Sequence, residues 1–159
     1  MRLMKIRLLV VGKTKEKLVE EGIKEYLKRL TRYTSFEIEV IPDAKVSNKM
    51  SSNEVKQLEG KEILKKLGSD ILVLLDEKGK EFTSVAFSQW IEKHQLNSTK
   101  QITFLIGGAF GFSDEVYKRA SSKIALSKMT FTHQMIRLIF IEQVYRAFTI
   151  IKGEKYHHV

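Results

Sequence analysis

The sequence predicts an α/β fold, a mainly parallel sheet sandwiched by helices. Three observations predict it. Strand-like runs alternate with helix-like runs along the whole chain, the pattern of successive β-α units. Ile71–Leu75 is apolar throughout and Ile102–Ile106 nearly so, as strands covered on both faces of a parallel sheet are. The 159 residues carry no linker, repeat or low-complexity tract, so one domain over 1–159 is expected.

The elements follow in order. Leu3–Val11 reads as a strand, because its charges break the apolar run of a signal peptide and no small-residue cleavage site follows. Thr14–Leu30 reads as a helix, with Leu18, Leu27 and Leu30 at helical spacing. Phe36–Ile41 alternates Phe, Ile and Val against Glu37 and Glu39 and stops at Pro42, the sole proline. Lys45–Ser52 reads as a polar loop, and Asn53–Leu67 as a helix ended by Gly68. After the strand Ile71–Leu75 comes a helix over Ser84–His94, with Val85, Phe87 and Trp90-Ile91 on its inner side. After Ile102–Ile106 come a short helix over Asp114–Ala120, N-capped by Ser113, and a short strand over Lys123–Leu126. His133–Ile151 is the last helix. In such sheets ligands bind beyond the carboxyl ends of the strands. Three segments leave those ends, Asp76–Gly79, Gly107–Gly111 and Ser127–Thr132, and are expected to meet at one edge.

Composition narrows the chemistry. Without cysteine there is no disulfide, thiolate metal site or cysteine nucleophile, which suits a reducing cytoplasm. No apolar run reaches membrane-span length, so no membrane partner is expected. The formal net charge is +9, and residues 118–159 hold eight Lys or Arg against Glu142 and Glu154. Six of the nine net charges therefore sit in the last quarter of the chain, which attracts a polyanion. The plainer reading is a basic protein kept in solution by its lysines.

Several motifs weaken on inspection. Gly12-Lys13-Thr14 lacks the earlier glycine of a phosphate-binding loop, since Arg7 stands there. Gly107-Gly108-Ala109-Phe110-Gly111 does not have dinucleotide spacing. It reads either as a tight strand-to-helix turn or as bare amides presented to a flat ligand such as adenine. The four histidines have no i, i+4 partner or carboxylate cluster, so no metal is expected. No nucleophile elbow is present. The last helix is apolar almost all round, and one small sheet covers one side of it, so a second copy of the chain is expected to cover another. Gln134, Arg137, Ile141, Tyr145 and Phe148 share one of its faces. Glu142 and Arg146, four apart, make a simple helical ion pair.

Taken together and in order, these residues resemble the ribosomal RNA large subunit methyltransferase H family of the SPOUT class. The matching runs are Leu74–Gly79, Phe104–Gly111, Leu126–Thr130, His133-Gln134, Glu142–Ala147 and Tyr156-His157. The resemblance covers essentially the whole chain. It implies a SPOUT fold with a deep C-terminal trefoil knot, an obligate homodimer, S-adenosylmethionine as methyl donor, and methylation at N3 of a pseudouridine in helix 69 of 23S rRNA on the assembled ribosome. Carried over by position, the donor pocket comprises Leu75, Asp76, Gly107, Gly108, Leu126, Ser127, Lys128, Met129, Thr130, Phe131 and Thr132. Leu75, Leu126 and Met129 would flank the adenine. Arg146, Tyr156 and His157 match positions beside the target base, as charge stabiliser, stacking ring and general base respectively. Phosphates would meet Lys118, Arg119, Lys123, Lys128, Lys152 and Lys155. Two other classes remain in view: a non-catalytic basic RNA- or ribosome-binding protein of the same fold, which would bind no donor, and a nicotinamide enzyme, disfavoured because no acidic residue suited to a ribose follows the glycines.

Overall fold

The computed structural model describes residues 3–44 and 49–158, so part of the expected loop at Lys45–Ser52 lies outside the described residues. In chain order the elements are β1 (Lys5–Val11), α1 (Lys17–Leu30), β2 (Ser35–Ile41), α2 (Ser52–Lys66), β3 (Ile71–Glu81), α3 (Ser84–Leu96), β4 (Gln101–Ile106), α4 (Asp114–Arg119), β5 (Ser122–Ala125) and α5 (Met135–Ile151). The strands lie in the order β2-β1-β4-β3-β5, and every adjacent pair is parallel. The α/β fold expected from the sequence is the fold observed.

Alternation along the strands builds two cores, one on each face of the sheet. Ile6, Leu8 and Val10 of β1, with Ile102, Phe104 and Ile106 of β4, pack under α1, α3 and α5. Leu9, Val11, Leu72, Leu74 and Leu105 point the other way, against Ile63 of α2 and Val116 of α4. Three helices start on side-chain caps. Ser51, Thr83 and Ser113 accept from the amides of Glu54, Ala86 and Val116 at 3.2, 3.0 and 3.4 Å. No helix among the described residues is long and apolar enough to cross a membrane.

The structure corrects the sequence reading at three places. β3 does not end at Leu75. It runs on to Glu81, with both Leu75 and Lys80 opposite Ile124 of β5, so Asp76–Gly79 is a bulge within a strand rather than a loop after one. Gly79 makes this possible, because a Cβ there would lie 2.7 Å from the backbone of Lys123 and Ile124. α1 begins at Lys17 instead of Thr14, because the Lys13–Glu16 backbone and the Thr14 hydroxyl are bonded to Gln134 and Arg137 of the α5 region. Third, the burial of α5 is largely met within the chain: α1 and α3 both pack against it. On the face shared by Gln134, Arg137, Ile141, Tyr145 and Phe148, all but Tyr145 are buried, and Tyr145 packs on Tyr26 and Tyr33. That face needs no second copy to cover it.

At the opposite end of the sheet from the C-terminal strand ends, one Asp70 carboxylate oxygen accepts from Arg7, Gln101 and Thr103 at 2.8, 2.7 and 2.8 Å. Arg7 also pairs with Glu39 at 3.0 Å, and both Arg7 and Asp70 are largely shielded from solvent. Removing one partner of such a pair leaves a buried guanidinium under-compensated. Asp70→Ala is expected to cost about 3 kcal/mol in urea unfolding, with little change in the slope of the transition.

Candidate functional site

A cavity of about 770 Å³ opens at the carboxyl edge of β3, β4 and β5. That volume is of the size that holds cofactors and drug-sized ligands. The three segments expected to meet there do so. β3 contributes Leu75 and, from its bulge, Asp76, Glu77 and Lys78; the turn after β4 contributes Gly107–Phe112, and the run after β5 contributes Leu126, Ser127 and Met129–Thr132. Ile106 of β4, Tyr117 of α4, Ile124 of β5, His133, Gln134 and Ile136 at the head of α5, and Glu16 from the β1–α1 connection complete the wall. Of the eleven residues assigned to the pocket from the sequence, Lys128 alone does not line it. Its side chain points outward, 88% exposed, with its ammonium 3.9 Å from Glu81.

Local chemistry sets each wall. In the glycine segment, Gly111 at φ +81° donates to the Gly108 carbonyl at 3.2 Å, so a tight turn forms at the strand end. The Phe112 ring lies 2.9 Å from where a Cβ on Gly107 would stand, and the Glu59 carboxylate 2.8 Å from the corresponding place on Gly108. Burial, and then the charge of Asp43, pushes the Glu59 carboxyl above its usual range. After β5, the Ser127 hydroxyl accepts from the Met129 amide at 2.9 Å, and Thr130 donates to Glu77 at 3.1 Å, tying this run to the β3 bulge. Thr132 accepts from the Met135 amide at 3.0 Å and so starts α5. Three carboxylates, Glu16, Asp76 and Glu77, line the cavity against one ammonium, Lys78. In a chain of net charge +9 this is a locally negative chamber, suited to a cationic ligand.

Arg146, Tyr156 and His157 stand together, but elsewhere. The Glu142 Oε1 is their hub, accepting from Arg146 Nε and Nη2 at 3.1 and 2.6 Å and from the Tyr156 hydroxyl at 3.0 Å. The simple helical pair expected at Glu142 and Arg146 is thus one edge of a larger cluster. The Arg146 guanidinium lies 4.8 Å from the centre of the Tyr156 ring, and its Nη1 is 3.0 Å from His157 Nδ1. A guanidinium only donates, so Nδ1 is the acceptor and its lone pair is engaged. The hydrogen bond to Glu142 raises the pKa of Arg146, and burial, then the bonds to Tyr26 and Glu142, raise that of Tyr156. Tyr33 donates to Glu154 at 2.7 Å and pins the start of the tail. None of the three lines the cavity, and Arg146 lies ten residues beyond Ile136, about 15 Å along the helix.

Among the cavity residues not assigned to the pocket from the sequence, two make bonds that tie separate elements together. Gln134 is buried and bridges to the β1–α1 connection: its Oε1 accepts from the amides of Lys15 and Glu16 at 2.8 and 3.4 Å, and its Nε2 donates to Lys13 O at 3.2 Å. Its signals in the sequence were its place at the head of an apolar helix and the family-like run His133-Gln134. Tyr117 lines the cavity and donates to Asp76 at 2.6 Å, and no sequence pattern links residues so far apart. Arg119, one of the expected phosphate contacts, is occupied instead, donating to the carbonyls of Gly68 and Asp70 at 2.9 and 2.8 Å. Among the described residues no group of three or more His, Cys, Asp or Glu is placed to hold a metal ion.

Fold and site together define an α/β protein with a cofactor-sized, locally negative cavity at the carboxyl edge of a parallel sheet. Residues 4–157 match the family described as "Predicted SPOUT methyltransferase", and the chain belongs to the SPOUT methyltransferases. Such an enzyme requires a methyl donor. The chain is 58% identical to the ribosomal RNA large subunit methyltransferase H of Parabacteroides distasonis, over 98% of this chain and 99% of that one. With the proteins of the same name from Porphyromonas gingivalis and Christiangramia forsetii the identities are 53% and 54%, at the same coverage.

The Gln134 bridge makes a direct prediction. Gln134→Ala is expected to speed hydrogen exchange at the Lys15 and Glu16 amides about tenfold, the worth of a lost buried hydrogen bond, while amides in β1 stay protected.

Proposed function

We propose that this chain transfers a methyl group from S-adenosylmethionine to N3 of a pseudouridine in helix 69 of 23S rRNA, on the assembled ribosome, as a cytoplasmic homodimer. One observation carries the reading: a cofactor-sized, locally negative cavity is walled by ten of the eleven residues that correspond to the donor site of the family. The family match and the full-length identity to large-subunit rRNA methyltransferases support it. The same resemblance supports a single domain over 1–159 with a C-terminal trefoil knot.

The residues present fit the donor. Leu75, Leu126 and Met129 offer apolar surface to an adenine, the glycine turn offers backbone to its edge, and Asp76 and Glu77 favour a positive sulfonium. When bound, S-adenosylmethionine supplies an electrophilic methyl group. The chain's part is to position and to move a proton. N3 of the target is a weakly acidic imide, and the His157 ring takes its proton. Because Nδ1 faces Arg146 in the free chain, Arg146 first turns toward the RNA, where it holds phosphate or the developing negative charge. Tyr156 stacks on the base, a contact worth about 1–3 kcal/mol. The distance between tail and cavity within one chain supports a dimer in which the tail of one copy reaches the cavity of the other. Lys118, Lys123, Lys128, Lys152 and Lys155 supply phosphate contacts.

His157→Ala and Arg146→Ala are each expected to lower methyl transfer to ribosomes at least ~100-fold with labelled donor, leaving donor affinity unchanged. Wild-type rates in both would remove their roles. Light scattering is expected to give the mass of two chains, and a stable monomer would overturn the shared site. Ribosome affinity is expected to fall steeply as salt rises.

A further inference from the structure

We propose that Tyr117 and Asp76 form one corner of the cavity that reads ribose hydroxyls, with Tyr117 as the positioning residue that fixes the Asp76 carboxylate. The inference rests on the nucleoside donor proposed above and adds a subsite to it. Both side chains line the cavity, from separate elements: Asp76 from the β3 bulge and Tyr117 from α4. The Tyr117 hydroxyl donates to Asp76 Oδ2 at 2.6 Å, the length of a charge-assisted bond, and the Lys78 amide donates to Oδ1 at 2.9 Å. Each carboxylate oxygen is thus held by one protein donor and keeps acceptor capacity for another. The Tyr117 ring is itself held edge-on by Phe112, with centroids 5.6 Å apart. Burial first, and then the bond to Asp76, pushes the Tyr117 hydroxyl up to about 12, so it remains a donor at neutral pH.

Such a corner offers only acceptors to a ligand. It rejects phosphate and takes paired donors. Two donors come from a nucleoside donor, the vicinal ribose hydroxyls and the ammonium of the amino-acid arm. Chain order favours the hydroxyls. Leu75, which faces the adenine in this reading, immediately precedes Asp76, and in the ligand the ribose is bonded directly to the adenine. A carboxylate on a ribose diol is a well-worn solution in other nucleotide-binding folds.

The test is titration calorimetry of the full chain and of Tyr117→Phe with two probes, S-adenosylhomocysteine and 5′-methylthioadenosine. The second keeps adenine and ribose but lacks the amino-acid group. Tyr117→Phe is expected to weaken both about tenfold, the loss of one charge-assisted hydrogen bond, with an unchanged melting temperature. In turnover, the donor KM is expected to rise with kcat unchanged. Unchanged affinity for both probes would overturn the proposal. So would a penalty confined to S-adenosylhomocysteine, which would assign the corner to the ammonium, or a melting temperature that falls in step with affinity, which would make the tyrosine structural. Failure of the unaltered chain to bind S-adenosylhomocysteine would instead remove the donor reading, and this inference with it.

Discussion

The head of α5 is fastened across the end of β1, and the rest of the site depends on that fastening. Arg137 is 1% exposed, and its guanidinium donates to Val11 O at 2.8 Å and to the Thr14 hydroxyl at 3.0 Å. No carboxylate of the described residues lies within ion-pair distance of it, its Nε has no partner, and burial pushes its pKa down. A charge in such a place is costly. What the cost secures is register: with Arg137 and Gln134 bonded to the β1–α1 connection, α5 can neither slide nor rotate. Its first turn then roofs the cavity while its last turns carry Glu142 and Arg146 to the tail.

Two rigid supports follow from one helix, and they have different chemistry. The cavity is lined by carboxylates and apolar side chains, within a chain that is strongly basic overall. The tail cluster is an ion pair set among aromatic side chains, with the Arg146 guanidinium and the Tyr156 hydroxyl bonded to one Glu142 oxygen. The chain keeps cavity and tail cluster about 15 Å apart along α5.

Much of this was legible in the residues. β1, β4 and α5 were fixed by apolar runs that have few alternatives, and Ser113 was readable as a cap because its partner is three residues away. The pocket residues were legible through their order along the chain and their likeness to a family. The bulge at Asp76–Gly79 was not, because glycine and charged residues after an apolar run signal a turn. Only the approach of β5 draws that segment back into the sheet, and only Gly79 lets the two backbones come that close. The outward turn of Lys128 and the capture of Arg119 by two carbonyls were hidden for the same reason: a long side chain chooses its partner from whatever folding brings near.

The sequence by itself determined the class of fold, the absence of thiol chemistry, the basic end of the chain and which three segments converge, because each rests on periodicity, composition or local chain geometry. The tertiary structure alone decided that α5 is covered by its own chain on the Arg137 face, that Tyr117 meets Asp76, and that Arg146, Tyr156 and His157 gather away from the cavity. These are contacts between residues distant in order, and their energies depend on burial and direction, which exist only once the chain has closed on itself.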